Sequence, residues 1–302
     1  MYTHILPVLR CPCCGAGFEL AESRKDDEEI AESRKCGEEI IEGKVLCGNG
    51  HTFCIHEGIL DFQSQEQELF NSWNGYSEED GNDNLDYELD AHKTVNQKKI
   101  EKDFLDSIIE KVRKLKSGFL LDIASGRGVL LREILKNIDA DVTVISTDLS
   151  LQILTQDRLK LKRLNPHVKV NYIACDATNL PIQDCSMDMA CTYVGFTNMA
   201  NLMESGIRDT ARVLKANAPL INSTVYMDEN AEGAKRTARF FAENHMEGAE
   251  KIYLRNELLT IHKKYFSTVR ERIIYEGIAE AVEGDLIPCG GEWFANALLI
   301  AE

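Results

Sequence analysis

Hydrophobic and polar positions follow two different periods along the last two thirds of the chain. Residues 96–115 repeat apolar positions every three or four residues, which predicts an amphipathic helix. Its apolar stripe comprises Ile100, Phe104, Ile108 and Val112. Beyond this helix, short apolar runs typical of buried strands alternate with helical segments. Such alternation predicts an α/β fold in which helices cover both faces of a parallel sheet.

The predicted strands are the runs FLLDIA, DVTVISTD, VKVNYIACD, MDMACTYVG and PLINSTVYM. The intervening helices begin at about residues 128 and 150 and cover about 199–215. Two further helical stretches then precede the last two strands, at 268–278 and 293–302. Because only a short segment connects these two strands, we expect them to pair antiparallel at the far edge of the sheet. The pattern therefore predicts a doubly wound, mostly parallel, seven-stranded sheet.

Charge is distributed unevenly along the chain. Residues 1–92 contain 6 Lys and Arg against 21 Asp and Glu, whereas residues 93–302 contain 28 against 29. Nearly all of the net charge of −16 therefore lies in the first third. Nucleic-acid binding depends on Lys and Arg that displace counterions from phosphates. A nucleic-acid partner remains possible, but the acidic first third disfavours it.

Membrane segments are not expected from the hydropathy pattern. No run approaches the roughly 18–20 apolar residues that a membrane-spanning helix needs. The first residues, MYTHILPVLRCP, lack the apolar core of a signal peptide. The chain is long enough for one large domain and a small one. We therefore expect a cytoplasmic protein without a membrane partner.

A glycine-containing turn joins the first predicted strand to the following helix in LLDIASGRGVLL, residues 120–131. A dinucleotide-binding turn has a third glycine where this chain has Leu131, and the carboxylate of Asp122 would repel a phosphate. Ligands of open parallel sheets bind beyond the carboxyl ends of the strands. Asp122, Asp148 and Asp176 end the first three strands. These carboxylates predict a nucleoside ligand that is cationic and carries no phosphate.

Asp122–Gly128, DIASGRG, resembles the first motif of the class I S-adenosylmethionine-dependent methyltransferases, acid-x-G-x-G-x-G. Ala124 replaces the first glycine, and alanine adopts a positive φ only at a cost. The stretches LPIQDCSMDMACTYV and RDTARVLKANAPLI resemble two later motifs of the same family. The resemblance covers roughly residues 96–302. It implies a Rossmann-like methyltransferase domain with S-adenosyl-L-methionine as its cofactor.

The resemblance also implies roles for individual residues. Asp122 would lie near the methionine end of the cofactor, Asp148 would accept hydrogen bonds from the ribose, and Asp176 would accept from the adenine amine. The full set of implied cofactor-binding residues is Asp122, Ala124, Gly126, Gly128, Asp148, Leu149, Asp176, Ala177 and Tyr193. For Asp148 a second interpretation stays open, because an aspartate before a helix can instead cap that helix.

The methyl acceptor is expected near the end of the fourth strand. Candidate neighbours are Thr192, Tyr193, Gly195, Phe196 and Asn198. Tyr193 and Phe196 fit a core position equally well. Methyl transfer is an in-line displacement that depends mainly on alignment, so a dedicated catalytic residue is not required. We therefore assign no catalytic residue and leave the methyl acceptor unidentified.

Six of the ten cysteines lie before residue 55. In a cytosolic chain such a cluster favours a metal site over disulfides. Two pairs have zinc-ligand spacing, and the predicted ligands of one structural Zn²⁺ are Cys11, Cys14, Cys47 and His51. Other candidates are Cys13, Cys36 and Cys54, of which Cys54 is the alternative to His51. A region of this size with so little apolar content folds poorly without a metal.

The ribbon followed by a methyltransferase domain resembles the zinc-binding ribosomal RNA (guanine-N1) methyltransferases. The shared features are C-x₂-C, then C-x₃-H-x-F, then the apolar stretch of HTFCIHEGILDF. The predicted division is a zinc ribbon at 1–62, an acidic linker or lid at 63–95, and the methyltransferase domain at 96–302. Three functions stay open: a methyltransferase of undetermined acceptor, an rRNA guanine-N1 methyltransferase, or a module that senses S-adenosylmethionine or binds a partner without turnover.

Overall fold

The structure is a computed structural model of the chain. It describes residues 1–21, 34–36, 38–63, 90–246, 248–280 and 290–302. Most of the predicted linker or lid and the side chain of Cys36 lie outside the described residues.

Twelve described strands form the sheet of the molecule. The first five are β1 (Phe18–Leu20), β2 (Arg34–Cys36), β3 (Glu39–Cys47), β4 (Thr52–His56) and β5 (Ile59–Asp61). The other seven are β6 (Gly118–Asp122), β7 (Val142–Asp148), β8 (Lys169–Ala174), β9 (Met189–Thr192), β10 (Leu220–Met227), β11 (Val269–Ile278) and β12 (Trp293–Ala301). The α-helices are α1 (Val95–Val112), α2 (Val129–Asn137), α3 (Leu151–Leu161), α4 (Met203–Val213), α5 (Glu232–Glu243) and α6 (Arg255–Tyr265). Short 3₁₀-helices are Thr3–Val8, Thr197–Leu202 and Ala249–Tyr253.

The seven later strands follow the order β8-β7-β6-β9-β10-β12-β11. The first five of these run parallel to one another, whereas β12 pairs antiparallel with both β10 and β11. The prediction of a doubly wound, mostly parallel sheet with an antiparallel pair at its far edge is confirmed. The chain reverses its direction of strand addition between β6 and β9. This switch point lies beside the glycine-containing turn.

Helices cover both faces of this sheet. Adjacent strand residues point to opposite faces, so Leu120 packs in a core with α1, α2 and α3 and Leu121 packs in a core with α4, α5 and α6. Helix α1 begins with a capping box in which the Thr94 side chain accepts from the Gln97 amide and the Gln97 side chain accepts from the Thr94 amide. The predicted apolar stripe of α1 is buried. The hydrophobic periodicity therefore predicted the buried face of α1 correctly.

The amino-terminal strands continue the same sheet. Strand β5 pairs parallel with β8, and β4, β3 and β1 extend the sheet beyond it. A buried ion pair of 2.7 Å joins Arg158 of α3 to Glu39 of β3. Most buried apolar residues of the predicted ribbon belong to the same core as α4, α5 and α6, whereas Ile59 packs in the core on the other face. The strands on either side of the predicted boundary between ribbon and methyltransferase domain therefore belong to one continuous sheet.

In the described part of the chain, no helix combines the length and the apolar character that crossing a membrane requires.

Candidate functional site

The turn after β6 has left-handed backbone at three positions. The φ angles are 50° at Ala124, 55° at Gly126 and 66° at Gly128. The Ser125 amide donates to the Thr147 carbonyl at 2.9 Å, which ties the turn to the end of β7. The alanine therefore keeps a backbone shape that favours glycine. Left-handed backbone costs an L-residue other than glycine roughly 1–2 kcal/mol.

Ala124→Gly is expected to raise the free energy of unfolding by about 0.5–1 kcal/mol, because relief of backbone strain exceeds the added entropy of the unfolded chain. Urea denaturation measures the change. Ala211→Gly is the control, since Ala211 lies inside helix α4, where glycine should destabilise. Lower stability for Ala124→Gly would contradict a strained turn.

Gly128 has a packing role that the sequence motif does not reveal. A Cβ atom at this position would lie 2.7 Å from Asp157 Oδ2 and 2.9 Å from Leu161 Cδ1. Both contacts come from helix α3. The absence of a side chain therefore lets α3 pack against the turn, in addition to the predicted approach of the backbone to a ligand.

Two fully buried carboxylates lie beneath the turn. Asp122 ends β6, and Asp157 projects from α3 with its Oδ1 3.3 Å from Lys160 Nζ. No donor among the described residues meets hydrogen-bond geometry with either carboxylate oxygen of Asp122, although the Ser146 hydroxyl lies close enough to lower the pKa of this carboxyl. Burial raises the pKa of Asp122 well above its ordinary value, and the negative charges of Asp157 and Asp148 raise it further. These buried carboxylates at the bottom of the site favour a cation over a phosphate as ligand.

Sequence reasoning missed Asp157. A signal was present, because Asp157 lies between Leu154 and Leu161 on the buried stripe of α3. A charged residue on an apolar helix face is rarely buried without a reason.

Asp148 connects the glycine turn with helix α3. Its Oδ2 accepts from the Gly126 amide and its Oδ1 accepts from the Ser150 amide, both at 2.9 Å. Ser150 itself caps α3 by accepting from the Ile153 amide. Burial raises the pKa of Asp148, while the backbone amides of Ser150, Gly126 and Leu149 lower it. Asp148 thus orders the turn, and three amide bonds leave its carboxylate about one acceptor position for a ligand.

Asp176 lies beyond the end of β8 and shapes its own loop. Its Oδ1 accepts from the Thr178 amide and its Oδ2 accepts from the Thr178 hydroxyl, both at 2.8 Å. Ala177 is half-buried beside it. The structure therefore brings Asp122, Asp148 and Asp176 to one edge of the sheet, as strand polarity predicts.

Tyr193 follows β9 and contacts helix α1. Its ring packs edge-on against Phe104 at 6.1 Å between centroids, and its hydroxyl lies 3.4 Å from Glu101 Oε2. Lys93 Nζ pairs with the same carboxylate oxygen at 2.7 Å. Burial, with the nearby negative charge of Glu101, raises the pKa of Tyr193. Glu101, in α1, and Lys93, just before it, were not identified from sequence, because both precede every recognised methyltransferase motif.

The other residues predicted to lie near the methyl acceptor differ in their burial. Phe196 is buried in the core and Asn198 is exposed. The Thr192 hydroxyl donates to the Ile123 carbonyl at 2.8 Å. A Cβ at Gly195 would lie 2.9 Å from the Cβ of Ala124. Residues 192–195 therefore pack directly against the glycine turn.

The predicted zinc ligands form one cluster. The ligand atoms of Cys11, Cys14, Cys47 and His51 all lie within 4.8 Å of one another. The closest separations are 3.3 Å between Cys47 Sγ and His51 Nδ1, 3.6 Å between Cys11 Sγ and His51 Nδ1, and 3.7 Å between Cys14 Sγ and Cys47 Sγ. Zinc bonds of about 2.0–2.3 Å in a tetrahedron separate ligand atoms by about 3.3–3.8 Å. These three separations fall in that range, so the cluster has a size at which the four side chains could hold a metal ion.

Of the other amino-terminal cysteines, Cys13 and Cys54 lie outside this cluster. Cys54 lies within β4 opposite Lys44, and Cys13 is exposed. The structure thus favours His51 over Cys54 as the fourth ligand. The Ala16 amide and the Asn49 side chain lower the pKa of Cys14 to about 6, whereas burial raises the pKa of Cys11 to about 12. A lowered thiol pKa favours the thiolate, which is the form that binds zinc.

The strand order and helix layers are those of the Rossmann-like methyltransferase fold. The crystal structure of the YcgJ protein from Bacillus subtilis superposes with a TM-score of 0.50 at 15% sequence identity, over 65% of this chain and 96% of that one. At this identity the likeness supports the fold alone.

Sequence comparison relates the central part of the chain to one group of methyltransferases. The ubiE/COQ5 methyltransferase family matches residues 84–226, slightly less than half of the chain. The demethylmenaquinone methyltransferase of Porphyromonas gingivalis is 31% identical over 102 residues, which are 34% of this chain and 41% of that protein. The ubiquinone/menaquinone biosynthesis C-methyltransferase UbiE of Stenotrophomonas maltophilia is 28% identical over 96 residues, 32% of this chain and 38% of that protein. The chain therefore spans about two fifths of these curated relatives.

Proposed function

We propose that this chain is an S-adenosylmethionine-dependent methyltransferase with a structural zinc site. The observation that carries the proposal is the fully buried Asp122 carboxylate, which lies with the buried carboxylate of Asp157 beneath a glycine turn at the switch point. A phosphate would be repelled there, whereas the sulfonium and ammonium groups of S-adenosylmethionine would be attracted. The similarity of residues 84–226 to the ubiE/COQ5 methyltransferase family supports the same proposal.

Each carboxylate of the site would have its own task. Asp122 would supply negative potential at the methionine end, Asp148 would accept from the ribose hydroxyls, and Asp176 would accept from the adenine amine. The cofactor brings a methyl group that the sulfonium already activates. The protein then needs to align the acceptor and exclude water, so no general base is assigned.

Calorimetry with S-adenosylhomocysteine tests cofactor binding directly. The purified chain should bind it with a stoichiometry of about one and should not bind NAD, because the turn beside Asp122 is unsuited to a pyrophosphate. Binding of NAD with comparable affinity would overturn the proposal.

Zinc fits the amino-terminal cluster by donor chemistry as well as by size. Three thiolates and one imidazole in a tetrahedral arrangement form a closed structural site with no position left for substrate. The metal would therefore stabilise the ribbon and would take no part in methyl transfer. Elemental analysis of the purified chain should give close to one zinc per chain.

We propose a small molecule as the methyl acceptor. The relatives named above are, by name, methyltransferases of quinone biosynthesis, which makes a reduced quinone the first acceptor to test. The family match ends at residue 226, so helices α5 and α6 lie beyond it. Ribosomal RNA guanine is the second candidate, supported by the resemblance of the ribbon and opposed by the acidity of residues 1–92.

Transfer of a labelled methyl group separates these possibilities. The chain is incubated with methyl-labelled S-adenosylmethionine and cell extract, which is then divided into lipid, metabolite, RNA and protein fractions. Reduced demethylmenaquinone serves as a defined acceptor beside the extract. Label in the RNA fraction would replace the small-molecule proposal. Tight cofactor binding without label in any fraction would favour a sensing or partner-binding module.

Asp148→Ala is expected to weaken binding of S-adenosylhomocysteine by about 1–3 kcal/mol, because ribose hydroxyls would lose a buried acceptor. Calorimetry measures the change, and the thermal midpoint of the ligand-free variant separates lost contacts from a disordered turn. Asp139→Ala is the control, since Asp139 forms an exposed ion pair with Lys116 away from the site. Equal affinity of Asp148→Ala and the wild type would remove Asp148 from the cofactor site.

A further inference from the structure

The loop after β8 runs from the adenine side of the cofactor site to the Cys-His cluster. We define residues 176–184 as the adenine-side loop. At one end of this loop is Asp176, the proposed acceptor for the adenine amine. Three residues later, the Asn179 side-chain amide donates to the Pro12 carbonyl at 3.1 Å. Pro12 directly follows the metal ligand Cys11, so the loop contacts the metal-binding turn itself.

Backbone pairing fixes the far end of the loop to the same amino-terminal segment. The Gln183 amide donates to the Val8 carbonyl at 2.8 Å, and the Arg10 amide donates to the Pro181 carbonyl at 3.1 Å. The Gln183 side chain adds a hydrogen bond of 3.0 Å to the Leu9 carbonyl. Residues 8–12 therefore form one side of the support for the adenine-side loop.

Helix α4 supports the loop from its other side. Asp209 accepts from the Leu180 amide at 2.6 Å, and Arg212 donates to the carbonyls of Leu180 and Ile182 at 2.9 and 2.7 Å. These contacts depend on a packed helix. The contacts of Asn179 and Gln183 depend instead on residues 8–12, which lead directly into Cys11 and Cys14.

We propose that Asn179 and Gln183 are positioning residues through which the bound metal orders the adenine-side loop, so that metal and cofactor bind cooperatively. The metal would order the turn at Cys11–Cys14, and that turn would present the Pro12 and Leu9 carbonyls in one place. Asp176 would then meet the adenine amine without a further loss of loop entropy. The inference rests on the proposed function, because it assumes that S-adenosylmethionine occupies this edge of the sheet.

Coupling between two sites is reciprocal, so it can be measured from the metal side in the intact, metal-loaded chain. The zinc affinity is determined by equilibrium competition with a chromogenic chelator, with and without saturating S-adenosylhomocysteine. In the wild type the ligand should tighten zinc binding by about fivefold or more.

The variant that tests the route is Asn179→Ala/Gln183→Ala, in which the effect of the ligand on zinc affinity should fall below about twofold. Lys169→Ala is the matched control. Lys169 also joins the ribbon to β8, through an ion pair of 2.8 Å with Glu38, but it lies at the opposite end of that strand. This control should keep the full coupling.

The possible results distinguish this inference from the proposed function. Tight binding of S-adenosylhomocysteine with a zinc affinity that does not change would overturn the coupling and leave the methyltransferase proposal intact. Coupling that persists unchanged in Asn179→Ala/Gln183→Ala would show that it does not pass through these two side chains. A chain that binds zinc but not S-adenosylhomocysteine would overturn both. The chelator measurement avoids the need for a folded metal-free protein.

Discussion

Cys47→Ser should lower the thermal midpoint by at least about 10 °C and abolish stoichiometric zinc binding. Zinc binding to a site of this kind supplies folding free energy directly, roughly 10 kcal/mol or more, which is comparable with the total stability of a domain. A serine hydroxyl is a poor replacement for a thiolate. Because Cys47 ends strand β3, which belongs to the common sheet, the loss should extend beyond the ribbon.

Calorimetric unfolding with parallel zinc analysis measures this effect. Cys54→Ser is the matched control, because Cys54 lies in the same ribbon but outside the cluster. The control should retain one zinc and shift the midpoint by only a few degrees, of the order of 1 kcal/mol. Equal zinc content and stability of the wild type and Cys47→Ser would refute the structural metal site.

Acidification should destabilise the protein through His262. This residue is fully buried on α6, where its Nδ1 contacts the Leu258 carbonyl at 2.7 Å and its Nε2 contacts the Asn222 side chain at 3.2 Å. Burial lowers the pKa of His262 from 6.5 to about 4. The folded state therefore binds this proton less readily than the unfolded state. The contribution of neutral, buried His262 to the free energy of unfolding is complete above pH 6.5. This contribution is lost as the pH falls towards 4.

The expected loss over this interval is about 3 kcal/mol, since each unit of pKa shift corresponds to about 1.4 kcal/mol. Urea denaturation at several values between pH 7 and pH 4 measures it. His262→Gln should lose less unfolding free energy between pH 7 and pH 4 than the wild type. His167→Gln, at an exposed histidine, should show the same dependence of unfolding free energy on pH as the wild type. The raised pKa values of Asp122 and Asp148 act in the opposite direction, so the comparison uses wild-type and variant curves at each pH. Parallel curves for wild type and His262→Gln would contradict the prediction.

The motif around the glycine turn was recognised from sequence, but its conformation was not. Ala124 argued against a positive φ, and the structure nevertheless has φ at 50° there. The reason is tertiary, because the Ser125 amide bonds to the Thr147 carbonyl and residues 192–195 pack over the turn. These contacts impose the backbone shape on whichever residue occupies position 124.

Partners that lie far apart in the chain were also invisible from sequence. Glu101, which pairs with Lys93, approaches Tyr193 only because α1 packs beside the residue that follows β9. In the same way, Asn179 reaches Pro12 across 167 residues. Spacing and periodicity describe contacts within an element or between neighbours, whereas such contacts depend on where whole elements pack.

The sequence by itself determined the parallel sheet, its antiparallel edge, the three carboxylates at one end of the strands and the grouping of three cysteines with one histidine near the amino terminus. All of these follow from local periodicity, strand polarity and ligand spacing. Only the tertiary structure decided that the amino-terminal strands extend the sheet, that Asp157 lies beneath the turn and that residues 8–12 hydrogen-bond to the loop after β8. The physical reason is that these arrangements result from burial and hydrogen bonding between distant segments, which no short stretch of sequence encodes.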